Sequence, residues 1–216
     1  MTDDIPLFDF AAAWSMLPAL LHAARLTFLA AVLGFTLALI FGLAAYLMGR
    51  WARRVTRFVR GTPLLVQLYF TYYVLPSAGI RLSAITGGVL VIGLHFGCYV
   101  AEVYRAGFAS VPPGQREAAA ALGLSGMLIL RMVVLPQAIR PMLPALGNYL
   151  IAIFKETPLL SALGVPEMMM RAQLIGAETF QYLEVMTVVG VIFFVISTGA
   201  SVLLHALEQR MARKFR

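Results

Sequence analysis

Lysine and charge are what this chain has least of. Its lysines are Lys155 and Lys214, and neither stands in a Gly-x4-Gly-Lys-Ser/Thr phosphate loop. The chain therefore does not bind ATP in that way. Charged residues make up only 12% of its 216 residues, about half the share usual in a soluble domain. Hydrophobic residues make up 61%, and mean hydropathy is +0.85. That balance excludes an ordinary soluble domain and implies an all-α polytopic membrane protein. The one cysteine, Cys98, lies in an apolar run. It has no intramolecular partner and reads as a buried small hydrophobe. His22, His95 and His205 are far apart and lack metal-ligand spacing, so no metal site and no cofactor are expected in this chain. Asp3, Asp4 and Asp9 precede the first basic residue, Arg25. That is the opposite of a signal peptide's basic start, and an uncleaved N-terminus is expected.

What is there is a series of apolar runs with basic residues between them. The net charge of +7 does not imply nucleic acid, because the basic clusters flank apolar runs and follow the positive-inside rule. A helix of about 20 residues crosses the hydrocarbon core. Leu26–Met48 is the first span. Arg50, Arg53, Arg54, Arg57 and Arg60 follow without an acid, which places that loop in the cytoplasm and the acidic N-terminus outside, in the periplasm. Residues 61–80 form the second span and 82–101 the third, whose Gly87, Gly88, Gly93 and Gly97 suit close helix packing, as do Gly34 and Gly42 in the first. The fourth, 137–156, is weaker, interrupted by Pro141 and Pro144. Residues 157–166 read as a partly buried outer segment, and 167–184 as an amphipathic outer helix and turn. The fifth span is 185–207, and Arg210, Arg213, Lys214 and Arg216 end the chain in the cytoplasm. The whole chain, 1–216, reads as one transmembrane domain with its core at about 25–207.

Between the third and fourth spans lies a polar stretch, 110–132. Pro112, Pro113 and Gly114 break the preceding helix, with Ser110 as the expected N-cap of the next. Ala118–Ala121 favours helix. Gly123 can supply a left-handed turn, and Ser125 can cap a second short helix. Two short helices with a tight bend are expected, presenting small residues that a partner can approach closely.

The pattern Glu117-Ala118-Ala119-x3-Gly123-x9-Val133-x-Leu135-Pro136 resembles the "EAA" loop of permease subunits of ABC importers. Val111-Pro112-Pro113-Gly114-Gln115, Leu135-Pro136-Gln137-Ala138, Arg60-Gly61-Thr62-Pro63-Leu64-Leu65-Val66-Gln67 and Leu143-Pro144-Ala145-Leu146-Gly147-Asn148 resemble the polar amino acid branch. Lys155-Glu156-Thr157-Pro158-Leu159 stands where the family usually has Lys-Asp-Thr-Ser-Leu, with Glu for Asp and Pro for Ser. The resemblance runs from about Arg25 to Leu207. It implies the ABC importer type I transmembrane fold with five spans. It also implies a bacterial inner-membrane location, a cytoplasmic ATP-binding subunit dimer, a second permease subunit (the same or a paralogue) and a periplasmic solute-binding protein. On this likeness Gln115, Glu117, Ala118, Ala119, Gly123 and Leu124 form the element that couples to the ATPase, and ATP hydrolysis belongs to that partner rather than to this chain.

Gly93-Leu94-His95, Ala101-Glu102-Val103-Tyr104-Arg105-Ala106-Gly107 and Ile175-Gly176-Ala177-Glu178-Thr179-Phe180 are similar to the ectoine/hydroxyectoine permease branch. The expected solute is a polar amino acid or an ectoine-like zwitterion. Ionisable groups within a bilayer are costly and mark solute paths. Glu102, Lys155 and Glu156, with Gln67 and Tyr72, are the candidates for that path. Glu102 and Arg105, one helical turn apart, also read as an interfacial ion pair. Two other classes compete. A secondary transporter often shows internal repeats, and none is evident. A membrane-embedded enzyme would need a nucleophile and a base, for which Cys98 and His95, three apart, are the nearest pair.

Overall fold

A computed structural model describes residues 8–214, the side chains of 211–214 excepted, and it is helical with no strand among those residues. The acidic Asp3 and Asp4 and the terminal Arg216 lie outside the described residues. Helix α1 runs Phe10–Leu47 and α2 runs Arg50–Arg60. Helix α3, Leu64–Tyr69, continues through a π-turn at Phe70–Val74 and a 3-10 turn at Leu75–Ala78. Helix α4 is Ala84–Ala109 and α5 is Pro113–Ala121. Helix α6, Gly126–Ile129, passes through a π-turn at Leu130–Val134 into α7, Leu135–Glu156, and on into a 3-10 segment, Thr157–Leu163. Helix α8 is Met168–Thr179 and α9 is Tyr182–Lys214.

Side-chain neighbours fix the directions. Along α1 and α4 the numbers rise together. A β-carbon at Gly34 would meet Ile92, one at Gly42 would meet Val100, and Tyr46 stacks on Phe108. These two helices are parallel. In α3 the order reverses, with Gln67 beside His95 and Thr71 nearer Gly87. Helix α7 also runs against α4, with Met142 beside Gly107 and Tyr149 beside Phe96. Helix α9 runs against α7, with Leu204 at Gly147 and Phe193 on Phe154. The chain therefore passes between the two ends of one bundle in α1, α3, α4, α7 and α9. Helices α2, α5 and α6 gather at one end, called the α2 end below. The Thr157–Leu163 segment and α8 gather at the other.

Several expected boundaries move. The first span starts at Phe10 rather than Leu26, because Asp9 caps the helix: its Oδ1 accepts from the backbone N–H of Ala11 at 2.9 Å and of Ala12 at 3.0 Å. Arg25, taken as a limit, is merely an exposed residue on that helix. The arginine loop is a helix, α2. The third span extends to Ala109, and Glu102 and Arg105 lie on its helix as their spacing implies. Among the described residues, four helical stretches are long and apolar enough to cross a membrane: Phe10–Leu47, Ala84–Ala109, Gly126–Leu163 and Tyr182–Arg210. The second span, expected at 61–80, is shorter. Pro63 starts it and Gly79 ends it in the left-handed region. Its helical length of about 22 Å falls below the ~30 Å hydrocarbon core. The fourth gains length instead. Pro141 and Pro144 sit inside α7 without breaking it, as prolines in membrane helices do when neighbours meet the freed carbonyls.

One buried cluster joins α1, α3, α4 and α7 around Leu68, Ile92, Val100, Ile153 and Leu160. A second, around Leu20, Met168, Ala172 and Val185, binds α8 and α9 to the first half of α1. Close approach replaces bulk where α1 meets α4. A β-carbon at Gly42 would lie 2.6 Å from Val100 Cγ1, and one at Gly97 would lie 2.9 Å from Phe41 Cβ.

Candidate coupling element and solute path

The polar stretch folds as two short helices around Gly123. The Leu124 N–H reaches the Ala119 carbonyl at 3.3 Å and the Gly123 N–H reaches that of Ala120 at 2.9 Å. This is a Schellman turn with Gly123 at φ +74°. Ser110 does not cap α5. It closes α4, its Oγ donating to the Gly107 carbonyl at 2.7 Å, and Pro112 occupies the cap position. The reason is length: α4 runs farther than its apolar stretch. Ser125 holds the N-cap position of α6 but makes no side-chain cap bond.

The two alanines of the motif face opposite ways. Ala119 is 4% exposed and turned toward the body, while Glu117, Ala118 and Gly123 are exposed and Leu124 is half-buried. Leu122, not singled out from the sequence, is 81% exposed at the bend. Glu117 belongs to none of the ion pairs among the described residues. Gln115 does have a partner, accepting from Gln137 Nε2 at 3.4 Å. Arg116 donates to the Phe108 carbonyl at 3.3 Å, tying α5 back to α4. Beneath this turn, Val111, Val134, Ala138 and Met142 form a small core. The stretch thus offers an outward face of Glu117, Ala118, Leu122 and Gly123 on a packed base.

Of the solute-path candidates, Gln67 and Glu102 share one neighbourhood. Gln67 Nε2 donates to the Val59 carbonyl at 2.7 Å and to Thr62 Oγ1 at 2.7 Å, and its Oε1 faces His95 Nδ1 at 3.2 Å. His95 lies against Tyr99, and Tyr99 against Tyr149. The Arg60 guanidinium sits 5.5 Å over the Tyr99 ring and 3.9 Å from Glu102. Arg105 grips Glu102 with two arms, one at 2.8 Å. The ion-pair expectation for Glu102 and Arg105 therefore has its geometry, though partial exposure limits such a pair to about 1 kcal/mol or less. Arg60 Nε and Arg105 Nη1 are buried and have no hydrogen-bond partner among the described residues. Tyr72 packs edge-on against Tyr73 in the π-turn of α3. Lys155 and Glu156 occupy the last turn of α7, Lys155 exposed and Glu156 half-buried, at the end of the bundle away from α2. The five candidates do not form one constellation.

Cys98 and His95 do not face each other as a nucleophile and base would. The Cys98 thiol donates to the Leu94 carbonyl at 3.3 Å, and the His95 Nδ1 is engaged by Gln67.

Comparison with known proteins decides the assignment. Residues 34–213 match the model of the family described as "Binding-protein-dependent transport system inner membrane component". The chain belongs to this family. Among its curated relatives, a probable amino-acid ABC transporter permease protein of Sinorhizobium fredii is 41% identical over 95% of this chain and 93% of its own. The glutamine transport system permease protein of Escherichia coli K12 is 39% identical over 94% of this chain and 98% of its own. Among solved structures, an amino acid ABC transporter crystallised with histidines superposes with a TM-score of 0.87 at 34% identity, covering 95% of this chain and all of that one. The MetNI methionine ABC transporter, at 18% identity and a TM-score of 0.65, shares the fold. This is the ABC importer type I fold, and the permease is a multi-pass protein of the inner membrane.

One feature of this permease left little mark on its sequence. Glu167, assigned to an amphipathic outer helix, is completely buried. It caps α8, accepting from the Met170 N–H at 2.9 Å. Thr27 of α1 donates to its other oxygen at 3.4 Å and accepts from the Met168 N–H at 3.1 Å. Burial pushes the Glu167 carboxyl above the usual carboxylate range, and the backbone N–H bonds pull partly against that. Glu167 lies outside the four candidate spans. The Pro166-Glu167 pair before three methionines was the available signal, but glutamate is not among the favoured N-cap residues.

Proposed function

We propose that this permease forms the membrane path for a polar, zwitterionic amino acid, with an ectoine-like compatible solute as the finer variant of that class. It works with a second permease subunit, a cytoplasmic ATPase dimer and a periplasmic solute-binding protein. The α2 end of the bundle faces the cytoplasm, and α5 with α6 meets the ATPase. The observation that carries this reading is the Gly123 turn: a well-packed base beneath an outward face with an unpaired Glu117. A turn of that kind can receive force without being needed for the permease's own core. Amino acid transport by relatives that cover nearly the whole chain supports the solute class.

The solute path runs past Gln67, Tyr99, Glu102 and Arg60. The free Nε of Arg60 and Nη1 of Arg105 suit a carboxylate, since a buried N–H without an acceptor is costly. Glu102 and the aromatic faces suit an ammonium. Lys155, Glu156 and Tyr72, at the far end, would be met earlier on the way in.

The test uses the assembled complex in membrane vesicles. Gly123→Asp is expected to insert normally but to lose ATP-driven uptake and to retain less ATPase subunit on purification. Wild-type uptake by this variant with the ATPase fully bound would refute the coupling role. Competition by unlabelled ectoine against labelled glutamine separates the two solutes. Inhibition by excess ectoine favours the finer reading, and uptake that unlabelled glutamine lowers but ectoine leaves unchanged removes it.

A further inference from the structure

Helix α2 carries two exposed faces, one basic and one apolar. Arg50, Arg53, Arg54 and Arg57 stand at spacings of three and four and share one face. All four are exposed. Among the described residues, the ion pairs of α2 are limited to Arg60 with Glu102. On the adjoining face, Trp51, Val55 and Phe58 are 70%, 62% and 71% exposed. Ala52 and Thr56, between them, are buried and hold the helix to the bundle. The exposed apolar side chains are therefore not waiting for the bundle itself. They form the rim of a groove of about 870 Å³ that runs down between α1, α3 and α4, past Phe41, Val66, Phe70 and Leu94. That volume lies within the range of ligand-holding pockets, roughly 300–1,000 Å³. Arg50 marks the border between the two faces, its guanidinium 5.7 Å over the Trp51 ring.

We propose that this groove binds an anionic phospholipid, with acyl chains between α3 and α4 and the phosphate at Arg50, Arg54 and Arg57. An occupant here must be apolar along its length and negative at one end, next to the basic face. A membrane lipid with an anionic head has that form. The helix itself has the composition of one lying at a membrane surface, with a basic face beside an aromatic and apolar one. Trp51 is exposed between the apolar groove and Arg50, and indole rings concentrate at the boundary between chains and head groups. A second copy of this chain fits less well, because it would bring the same four arginines and no acid of its own in α2. Each arginine near an anionic surface strengthens attraction by about 1 kcal/mol, a factor of about five.

The experiment uses the purified transporter complex delipidated in detergent, then mixed with phosphatidylglycerol or phosphatidylcholine. Bound lipid is counted by native mass spectrometry, and thermal stability is followed in parallel. Wild type should retain phosphatidylglycerol in preference to phosphatidylcholine and be stabilised by it. R50Q/R54Q/R57Q should lose that preference, by about five-fold per arginine removed. R81Q/R171Q, with charges removed at the other end of the bundle, should keep it. L94W, which fills the groove and leaves every arginine in place, should lower retention of both lipids and so shows the groove's part if the triple variant folds poorly. Equal retention of both lipids by wild type, or unchanged retention by the triple variant or by L94W, overturns the proposal. Disulfide capture between copies carrying W51C in native membranes would also overturn it, by making this face an interface between permeases.

Discussion

Adding one methyl group where α1 meets α4 is a sharp test of the packing. At Gly42 a β-carbon would fall 2.6 Å from Val100 Cγ1, 2.8 Å from Val100 Cβ and 3.0 Å from the Gly97 carbonyl oxygen. None of these atoms is the end of a flexible chain. Val100 is fully buried, and a β-branched residue in a helix has essentially one rotamer. The clash with its Cβ and with the carbonyl cannot be relieved by rotation, so the two helices must separate. Overpacking of this kind costs about 1–3 kcal/mol. For a chain of this size that is a fall in Tm of roughly 2–12 °C, at about 2–4 °C per kcal/mol. The assay is thermal denaturation of the purified permease complex in one detergent, comparing wild type, Gly42→Ala, Val100→Ala and the double variant. Val100→Ala removes the nearest methyl but leaves the β-carbon, so relief in the double variant should be partial. The coupling should still exceed about 0.5 kcal/mol, the lower bound for residues in contact. A Tm for Gly42→Ala within 1 °C of wild type, or strict additivity in the double variant, would refute the close-packing argument.

Other expectations are as specific. Glu167→Ala should destabilise by about 1–2 kcal/mol through loss of the α8 cap, whereas Glu167→Gln keeps an acceptor and should cost less, as seen in Tm. Because burial raises the Glu167 carboxyl, the folded state holds its proton more firmly than the unfolded state does. Its contribution is full below the unfolded value of about 4.3 and declines as pH rises through the raised folded value; Glu167→Gln should flatten that part of the pH–Tm curve. Phe180 closes α8 at φ 60° and is 86% exposed, so Phe180→Gly should raise stability by a few tenths to about 1 kcal/mol by removing left-handed strain, and a lower Tm would show that the ring has a partner. Lys155→Met should abolish uptake while basal ATPase activity persists if Lys155 meets the solute; normal uptake by a stable variant would remove it from the path.

Much of the fold was legible because charge and hydropathy report where a chain can cross a membrane. The run at 185–207 lies within α9, and the one at 82–101 falls within α4 except for its first two residues. What those signals miss is where a helix stops. Asp9, Ser110 and Glu167 set ends through hydrogen bonds, and hydropathy does not see caps. Prolines misled in both directions. Pro141 and Pro144 read as interruptions yet lie inside a continuous α7, and α3 proved too short once Pro63 and Gly79 closed it. At the coupling stretch, the Gly123 turn was readable because a left-handed bend needs glycine. The opposite orientations of Ala118 and Ala119 were not, since they depend on the register of α5 against the body. The Gln67–His95 contact joins residues from different helices, and nothing along the chain announces it.

Helix α7 does not begin at its own first turn. From Gly126 to Leu163 the backbone stays helical for 38 residues, so the short helix next to the Gly123 bend and the segment at the far face are one rod of about 57 Å. A tilt of a single degree about its starting end displaces the other end by about 1 Å, and the π-turn at Leu130–Val134 is the one place near that pivot where the winding is already loose. Small movements at the Gly123 end are thereby magnified at the far end of the bundle by geometry alone.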